Sequence, residues 1–248
     1  MTVVVQAILD RADTHPHRAA VTGARGRPVT YGELATGVRG VAAHLAGAGV
    51  APGDGVLLAV RPSARAVMAA LGVVLAGGVV VVADPGAGAA LVAVRRDIVP
   101  VRAAVADTVV HAATRAPLSW LLARLPATSG LQLPDLSDDG LVHIVTGPCL
   151  PGVPPEATRW KALPHLDRPA HGVDAAFAGR AASGDRDALV VFTSGSTAAP
   201  RAVVHSVSSL SAGVLAAAGA LELDEDVVMH TDQLMIGLPT LVAGGSWS

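Results

Sequence analysis

A cluster of hydroxyl-bearing residues follows an apolar segment in the last quarter of the chain. Residues 188–192 read ALVVF, and Thr193, Ser194, Ser196 and Thr197 follow around a single glycine, Gly195. Side-chain hydroxyls and the free N–H groups of a glycine-containing loop can donate hydrogen bonds to phosphate oxygens, and glycine lets the backbone approach closely. A short distance further on, Arg201 adds a permanent positive charge and a bidentate donor fork. This spacing predicts a loop that binds a polyphosphate.

Other readings of these and neighbouring residues lead to different chemistry. An isolated TSGST pentapeptide is also typical of a solvated turn. No GxSxG surrounds a serine and no Gly-Lys follows Gly195 at Walker spacing, which disfavours a hydrolase or a P-loop kinase. Residues 86–91, GAGAAL, partly match a dinucleotide fingerprint and leave a nucleotide-dependent oxidoreductase as a weaker hypothesis. Residues 135–140 resemble the start of a calcium loop, but Thr146 stands where a bidentate Glu is needed, so we predict a turn.

The elements that must position the loop follow from apolar runs and capping residues. Thr30 and Glu33 fit a capping box at the start of a helix that ends near Gly47, and Ser63 fits the cap of a second helix. Predominantly apolar runs predict strands that are covered on both faces. These strands are expected at residues 56–60, 79–83, 101–106, 141–145 and 188–192. The predicted fold class is α/β, with layered, mainly parallel sheets and flanking helices.

The predicted phosphate loop lies where an open α/β sheet usually binds ligands. Such sheets bind at the carboxyl ends of their parallel strands, and residues 188–192 deliver the chain into the loop at such an end. Residues 202–205 read as a returning strand, and Ser206 or Ser208 can cap a helix that runs to about Gly219. We therefore expect a strand–loop–strand hairpin that clamps phosphates.

The chain divides into two predicted parts. Residues 1–187 would form a first α/β part, in which residues 148–187 are a Pro- and Gly-rich connector, and residues 188–248 would carry the hairpin and the start of a second part. No capping element is predicted after residues 241–243, which suggests truncation inside a larger fold.

Composition restricts the partners and the compartment. With 51% hydrophobic and 15% charged residues the chain is predicted to be globular, and a net charge of -2 without a basic cluster disfavours nucleic acid. The single Cys149 suits a reducing compartment, and the first 18 residues lack the basic region of a signal peptide, so a cytoplasmic location is expected. Residues 66–83 are uncharged, but Gly77 and Gly78 divide them, which predicts a buried helix and strand and no membrane span.

Residues 188–206, ALVVFTSGSTAAPRAVVHS, resemble the phosphate loop of the AMP-forming acyl-activating superfamily, which includes acyl-CoA synthetases, peptide-synthetase adenylation domains and luciferases. Residues 30–85 resemble that superfamily's N-terminal region, with its Thr-Tyr-x-Glu-Leu helix start and Gly-Val-x-Pro-Gly-Asp turn. The resemblance implies an incomplete N-terminal domain of an adenylate-forming enzyme, with ATP and Mg²⁺ as cofactors and a carboxylic acid as substrate. It implies that the loop residues and Arg201 hold the phosphates, and that His230 lies near the acyl and adenine pockets.

A finer resemblance and several departures bear on function. Residues 80–88 and 230–239 are most similar to β-lactone synthetases of olefin biosynthesis and to fatty acyl-AMP ligases, which implies a fatty or 3-hydroxy fatty acid. Ala198 and Ala202 replace glycines of the family loop, Arg201 replaces a lysine, and the family's later motifs would lie beyond Ser248. The alternative hypothesis is a non-catalytic nucleotide-binding fragment that needs a partner subunit or a C-terminal domain.

Overall fold

The computed structural model describes residues 2–23, 27–82, 99–114, 136, 140–166, 185–192, 202–231 and 233–248. The helices in these ranges are α1 (Thr2–Thr14), α2 (Tyr31–Gly47), α3 (Ala64–Leu75), α4 (Thr108–Thr114), α5 (Val207–Ala220), α6 (Leu234–Ala243) and a 3₁₀ turn at Trp160–Ala162. The strands are β1 (Ala19–Val21), β2 (Val29–Thr30), β3 (Gly55–Ala59), β4 (Val79–Val82), β5 (Val101–Asp107), β6 (Val142–Thr146), β7 (Thr158–Arg159), β8 (Asp187–Phe192), β9 (Ala202–Ser206), β10 (Val228–Met229) and β11 (Ser246–Trp247).

In the described residues, the larger sheet has seven strands in the order β7-β6-β5-β3-β4-β8-β9. All neighbours pair in parallel except β8 and β9, which form the predicted antiparallel hairpin. Residues of β3 alternate between two cores, since Val56 and Leu58 face one apolar cluster and Leu57 faces the other. Burial on both faces explains why the inner strands β3 and β4 are apolar throughout.

The smaller sheet has four strands within the described part of the chain, in the order β10-β11-β1-β2. Strand β11 lies between β10 and β1 and is parallel to both, so that Trp247 is opposite Met229 on one side and Val21 on the other. The larger of the two apolar clusters contains residues of both sheets and of α1, α2, α3, α5 and α6. The predicted class of layered α/β fold with mainly parallel sheets is confirmed.

The predicted helix starts are confirmed in atomic detail. The Oγ1 atom of Thr30 accepts from the Glu33 N–H, and a Glu33 carboxylate oxygen accepts from the Thr30 N–H, which completes the capping box. The Ser63 and Ser206 hydroxyls accept from the third N–H group along their helices, at Ala66 and Ser209. In the uncharged segment, residues 66–82 form most of α3 and then β4, and residue 83 lies outside the described residues. Within the described ranges, no helix has the length and hydrophobicity that a membrane crossing needs.

Two features of the irregular regions are not expected from the sequence. The prediction that no capping element follows residues 241–243 is wrong, because Gly244 ends α6 in the left-handed conformation with φ 95° and β11 follows it. Glycine adopts this conformation without a steric penalty, so a Gly-Gly pair can reverse the chain directly into a strand. Inside the predicted connector, residues 158–162 form β7 and the 3₁₀ turn, and β7 extends the larger sheet beside β6.

Candidate functional site

The carboxyl ends of the parallel strands in the larger sheet meet at one edge of that sheet. Strand β8 lies beside β4 and ends there at Phe192, which is paired with Ala202 at the start of β9. The predicted phosphate loop therefore leaves and rejoins the described fold at this edge. The loop residues themselves, Thr193, Ser194, Gly195, Ser196, Thr197 and Arg201, lie outside the described residues.

A cavity of about 520 Å³ opens at the same edge. Residues at the carboxyl ends of β3 and β4 form one side, and residues at the carboxyl ends of β1 and β11 form another, so both sheets contribute to it. The first turns of α3 and α6 complete the walls. Most of the lining is apolar, and no charged side chain occurs among the described lining residues. They are Val21, Thr22, Gly23, Leu58, Val60, Pro62, Ser63, Ala64, Ala66, Val67, Val82, Thr231, Leu234, Trp247 and Ser248.

Trp247 is the largest side chain in this lining and is almost fully buried. Its indole Nε1–H donates a hydrogen bond of 2.6 Å to the Thr231 carbonyl oxygen. Gly237 on α6 lies against the ring, and a side-chain carbon at position 237 would overlap three of its atoms. Sequence reasoning missed both residues, because β11 has only two residues and the contact depends on how α6 folds back onto it.

A buried carboxylate fixes the turn that leads from β3 into the cavity wall. One oxygen of Asp107 accepts from the Thr146 hydroxyl at 2.6 Å. The other accepts from the backbone N–H and the Nε–H of Arg61 at 3.1 and 2.9 Å. Since Pro62 and Ser63 follow Arg61 and line the cavity, this contact anchors that wall to β5 and β6. The hydrogen bond to Asp107 also gives a structural role to Thr146, the residue at the last position of the calcium-like pattern.

A second cavity, of about 790 Å³, lies between α2 and the 3₁₀ turn. Its described lining includes Arg27, Glu33, Trp160 and Lys161, of which Trp160 follows β7 at the outer edge of the sheet. It includes no described residue at the carboxyl ends of β3, β4 or β8, the strands nearest the predicted loop. The Arg27 guanidinium pairs with the Glu33 carboxylate there, with Nη1 at 2.9 Å from Oε2. The smaller cavity is therefore the candidate functional site, although the other is larger.

Comparison with known protein families shows to which family the chain belongs. The family described as AMP-binding enzyme matches residues 8–246. The chain belongs to this family. No curated protein matches it at a significant level.

Solved structures agree with this membership of the AMP-binding enzyme family at the level of the fold. The chain matches VinN in complex with 3-methylaspartate with a TM-score of 0.64 at 20% identity, over 98% of this chain and 60% of that one. It matches the N-terminal domain of FACL13 from Mycobacterium tuberculosis with a TM-score of 0.68 at 14% identity, over 99% of this chain and 56% of that one. It matches a benzoate CoA ligase from Burkholderia xenovorans with a TM-score of 0.66 at 22% identity, over 98% of this chain and 44% of that one. The chain thus spans about half the length of these structures.

The structure of this AMP-binding family member shows the positions of some other residues that the sequence analysis named, and others lie outside the described ranges. His230 directly follows β10 and is exposed, next to Thr231, which lines the cavity. His205 lies on β9 and is half-buried. The glycines of the dinucleotide-like pattern at residues 86–88 lie outside the described residues. Among the residues that are described, no group of three or more His, Cys, Asp or Glu side chains is arranged to hold a metal ion.

Proposed function

We propose that this chain supplies the phosphate loop and the acid-binding cavity of an adenylate-forming, acid-activating ligase. In this reaction a carboxylate oxygen of the acid attacks the α-phosphorus of ATP in line, an acyl-adenylate forms and pyrophosphate leaves. The observation that carries the proposal is that residues 193–201, with their phosphate-loop sequence, connect β8 to β9 at the sheet edge where the apolar cavity opens.

The proposed roles of the loop residues follow from their chemistry. The hydroxyls of Thr193, Ser194, Ser196 and Thr197 would donate to the β- and γ-phosphate oxygens, together with backbone N–H groups that Gly195 allows to approach. Arg201 would offset the charge of the leaving pyrophosphate. Mg²⁺, when bound, neutralises phosphate charge. The residues described here offer no carboxylate cluster for it, so the phosphates would hold the ion with a protein ligand from elsewhere.

The lining of the cavity favours an aliphatic acid. Its volume of about 520 Å³ falls in the usual range for small-molecule sites of about 300–1,000 Å³. An acid with a second charged group, such as 3-methylaspartate in VinN, would leave that group without a charged partner in the described lining. We therefore propose a fatty or 3-hydroxy fatty acid, bound with its chain in the cavity and its carboxylate toward the phosphate loop, and with His230 near the entrance.

The proposed enzyme extends beyond the part that this chain represents. Residues 1–187 and 188–248 would be two parts of one adenylation N-terminal domain, completed by a C-terminal domain or a partner subunit. The alternative is a fragment that binds nucleotide without catalysis. That alternative is favoured by Ala198 and Ala202, which restrict the backbone where the family loop has glycine.

The proposal predicts that Arg201→Ala weakens ATP binding by about 10- to 100-fold, the usual effect of losing a hydrogen bond to a charged group. Isothermal titration calorimetry with ATP and Mg²⁺ measures it. Arg102→Ala is the matched control, because Arg102 is exposed at the amino end of β5, the opposite edge of the sheet. Equal affinities for the two variants would refute the assignment of the loop. Titration of NADPH by the same method tests the alternative that residues 86–91 bind a dinucleotide.

Carboxylate-dependent exchange of radiolabelled pyrophosphate into ATP separates catalysis from binding alone. Exchange by this chain with an aliphatic acid would exclude the non-catalytic alternative. ATP binding that depends on Arg201 but gives no exchange would support that alternative for the isolated chain.

A further inference from the structure

We infer that Trp247 is the residue that limits the length of the acid which the cavity accepts, and that Gly237 holds it in position. The inference rests on the proposed function, in which the cavity of about 520 Å³ receives the apolar part of the acid. It assigns a specificity-determining role to a residue outside the phosphate loop.

The backbone of Trp247 is fixed on both sides. It lies in β11, the inner strand between β10 and β1. The Trp247 carbonyl accepts from the Thr22 N–H at 2.7 Å, and the next residue, Ser248, donates to the Met229 carbonyl at 2.8 Å. A residue held between two strands cannot withdraw from the cavity without breaking these bonds.

The indole ring is fixed as well. Its only N–H group donates to the Thr231 carbonyl, which is itself a cavity residue. One part of the ring packs on Gly237, where even a methyl group would overlap the ring atoms Cδ2 and Cε2. Rotation of the ring would break the hydrogen bond and lose this packing, so the Trp247 wall is rigid.

The rest of the lining does not offer a comparable barrier. Where the wall is formed by α3, the side chains at Ala64 and Ala66 are small, and the other described lining residues besides Trp247 are valine, leucine, proline, threonine, serine or glycine. A growing aliphatic chain therefore meets its one large, fixed obstacle among the described lining residues at Trp247. Well-packed sites reject extra atoms, and a rigid aromatic wall cannot relax to reduce that penalty.

This arrangement predicts a break in the dependence of affinity on chain length. Each methylene that enters the cavity increases the affinity by about fourfold, which corresponds to about 0.8 kcal/mol. Once the chain reaches the indole, further methylenes add nothing or weaken binding. We expect the identity of residue 247 to set the chain length at which this break occurs.

The test is calorimetric titration of straight-chain saturated carboxylic acids of increasing length into the wild-type chain and into Trp247→Leu. We expect the break to move to longer acids in Trp247→Leu, with at least a tenfold gain for the first acid beyond the wild-type break. In Gly237→Ala, the added methyl group displaces the ring, and we expect the break to move in the other direction or the affinity to fall for all acids. The matched control is Trp160→Leu, which removes an indole from the other cavity and should leave the break unchanged.

Fluorescence gives an independent readout. In a Trp120→Phe, Trp160→Phe background, Trp247 is the remaining tryptophan of the chain, and its emission should change when an acid of optimal length binds. If Trp247→Leu does not fold, as judged by circular dichroism, Trp247→Phe replaces it, and a smaller shift of the break in the same direction is expected.

Two results would overturn the inference: an unchanged break in the folded Trp247 variant, or the absence of acid binding by the wild-type chain. ATP titration of the same samples separates this failure from that of the proposed function. ATP binding that depends on Arg201, combined with an unchanged break, rejects the role of Trp247 alone. Loss of the Arg201 dependence rejects the proposed function itself.

Discussion

At the scale of single residues, Tyr31 joins the start of α2 to the end of α6. Its side chain is fully buried, and its hydroxyl lies 3.0 Å from the Leu241 carbonyl oxygen and 2.7 Å from that of Gly245. In Tyr31→Phe these buried carbonyls lose the donor. We expect the free energy of unfolding to fall by about 1–3 kcal/mol, measured by urea denaturation.

The pH dependence of this effect identifies its cause. Burial disfavours the phenolate and raises the pKa of Tyr31 above its ordinary value of 10.0. The unfolded chain releases the proton above about pH 10, whereas the folded chain keeps it, so the stability of the wild type falls as the pH rises through this range. Tyr31→Phe has no such group, and the difference between the two proteins should therefore narrow above pH 10. Because the chain has one tyrosine, a constant difference would contradict this account.

Residue roles could be predicted from the sequence where the contact is local. The caps at Thr30, Ser63 and Ser206 each reach an N–H group three residues away, so the sequence contains both partners. The contacts of Tyr31 and Trp247 join residues that no short pattern connects. The hydrogen bond between Tyr31 and Gly245 spans 214 positions. Such contacts depend on the order of strands in the sheets, which the sequence pattern does not specify.

At the scale of elements, the start of α2 combines a capping box with an ion pair. A side-chain hydrogen bond from Arg27 and a backbone hydrogen bond from Thr30 lower the pKa of Glu33 from 4.5 to about 2. The folded chain therefore binds fewer protons than the unfolded chain between these values. The contribution of Glu33 to stability is complete above about pH 4.5 and is lost as the pH falls toward 2.

Glu33→Gln tests this contribution, since glutamine can keep the capping hydrogen bond but not the charge. The carboxylate is partly exposed, so we expect a loss of no more than about 1 kcal/mol at pH 7. The loss should shrink as the pH falls from 4.5 toward 2. Urea denaturation across this range measures it, and the exposed Glu156→Gln serves as the control. A loss that does not vary with pH would mean that shape, and not charge, is responsible.

The predictable elements are those with long periodic or apolar runs. Helices α2 and α3 and strands β3, β5, β6 and β8 lie within one or two residues of their predicted positions. Strands β1, β2, β10 and β11, with two or three residues each, were not predicted. Segments this short carry no measurable alternation, and they become strands only because neighbouring strands supply their hydrogen-bond partners.

At the scale of the whole molecule, the candidate site is a product of the arrangement of the two sheets. The sequence predicts the edge of the larger sheet, because residues 188–206 contain both the strand and the loop. The opposite wall of the cavity comes from residues 21–23 and from Thr231, Leu234, Trp247 and Ser248, which reach the site only when β1, β11 and α6 assemble. The cavity could not be predicted because its walls come from distant parts of the chain.

The arrangement of the two sheets leaves exposed apolar side chains beside β10, the strand at one edge of the smaller sheet. In the described part of the chain β10 pairs on one side only, with β11, and Val228 is 54% exposed. Leu215 on α5, and Met235 and Ile236 on α6, are exposed on elements that contact one another or β10. Open strand edges with apolar side chains promote association between chains. We therefore expect this chain, which spans about half the length of its solved structural neighbours, to self-associate as its concentration rises.

Val228→Lys should weaken that association by about tenfold or more, because it removes a valine worth about 1.5–3 kcal/mol when buried and places a charge at the strand edge. Sedimentation velocity over a range of concentrations measures the effect. The matched control is Val3→Lys on α1, where the valine is 60% exposed but lies on a helix and not at an open strand edge. If both variants associate like the wild type, the contact lies elsewhere. If both weaken association equally, net charge and not the β10 edge is the cause.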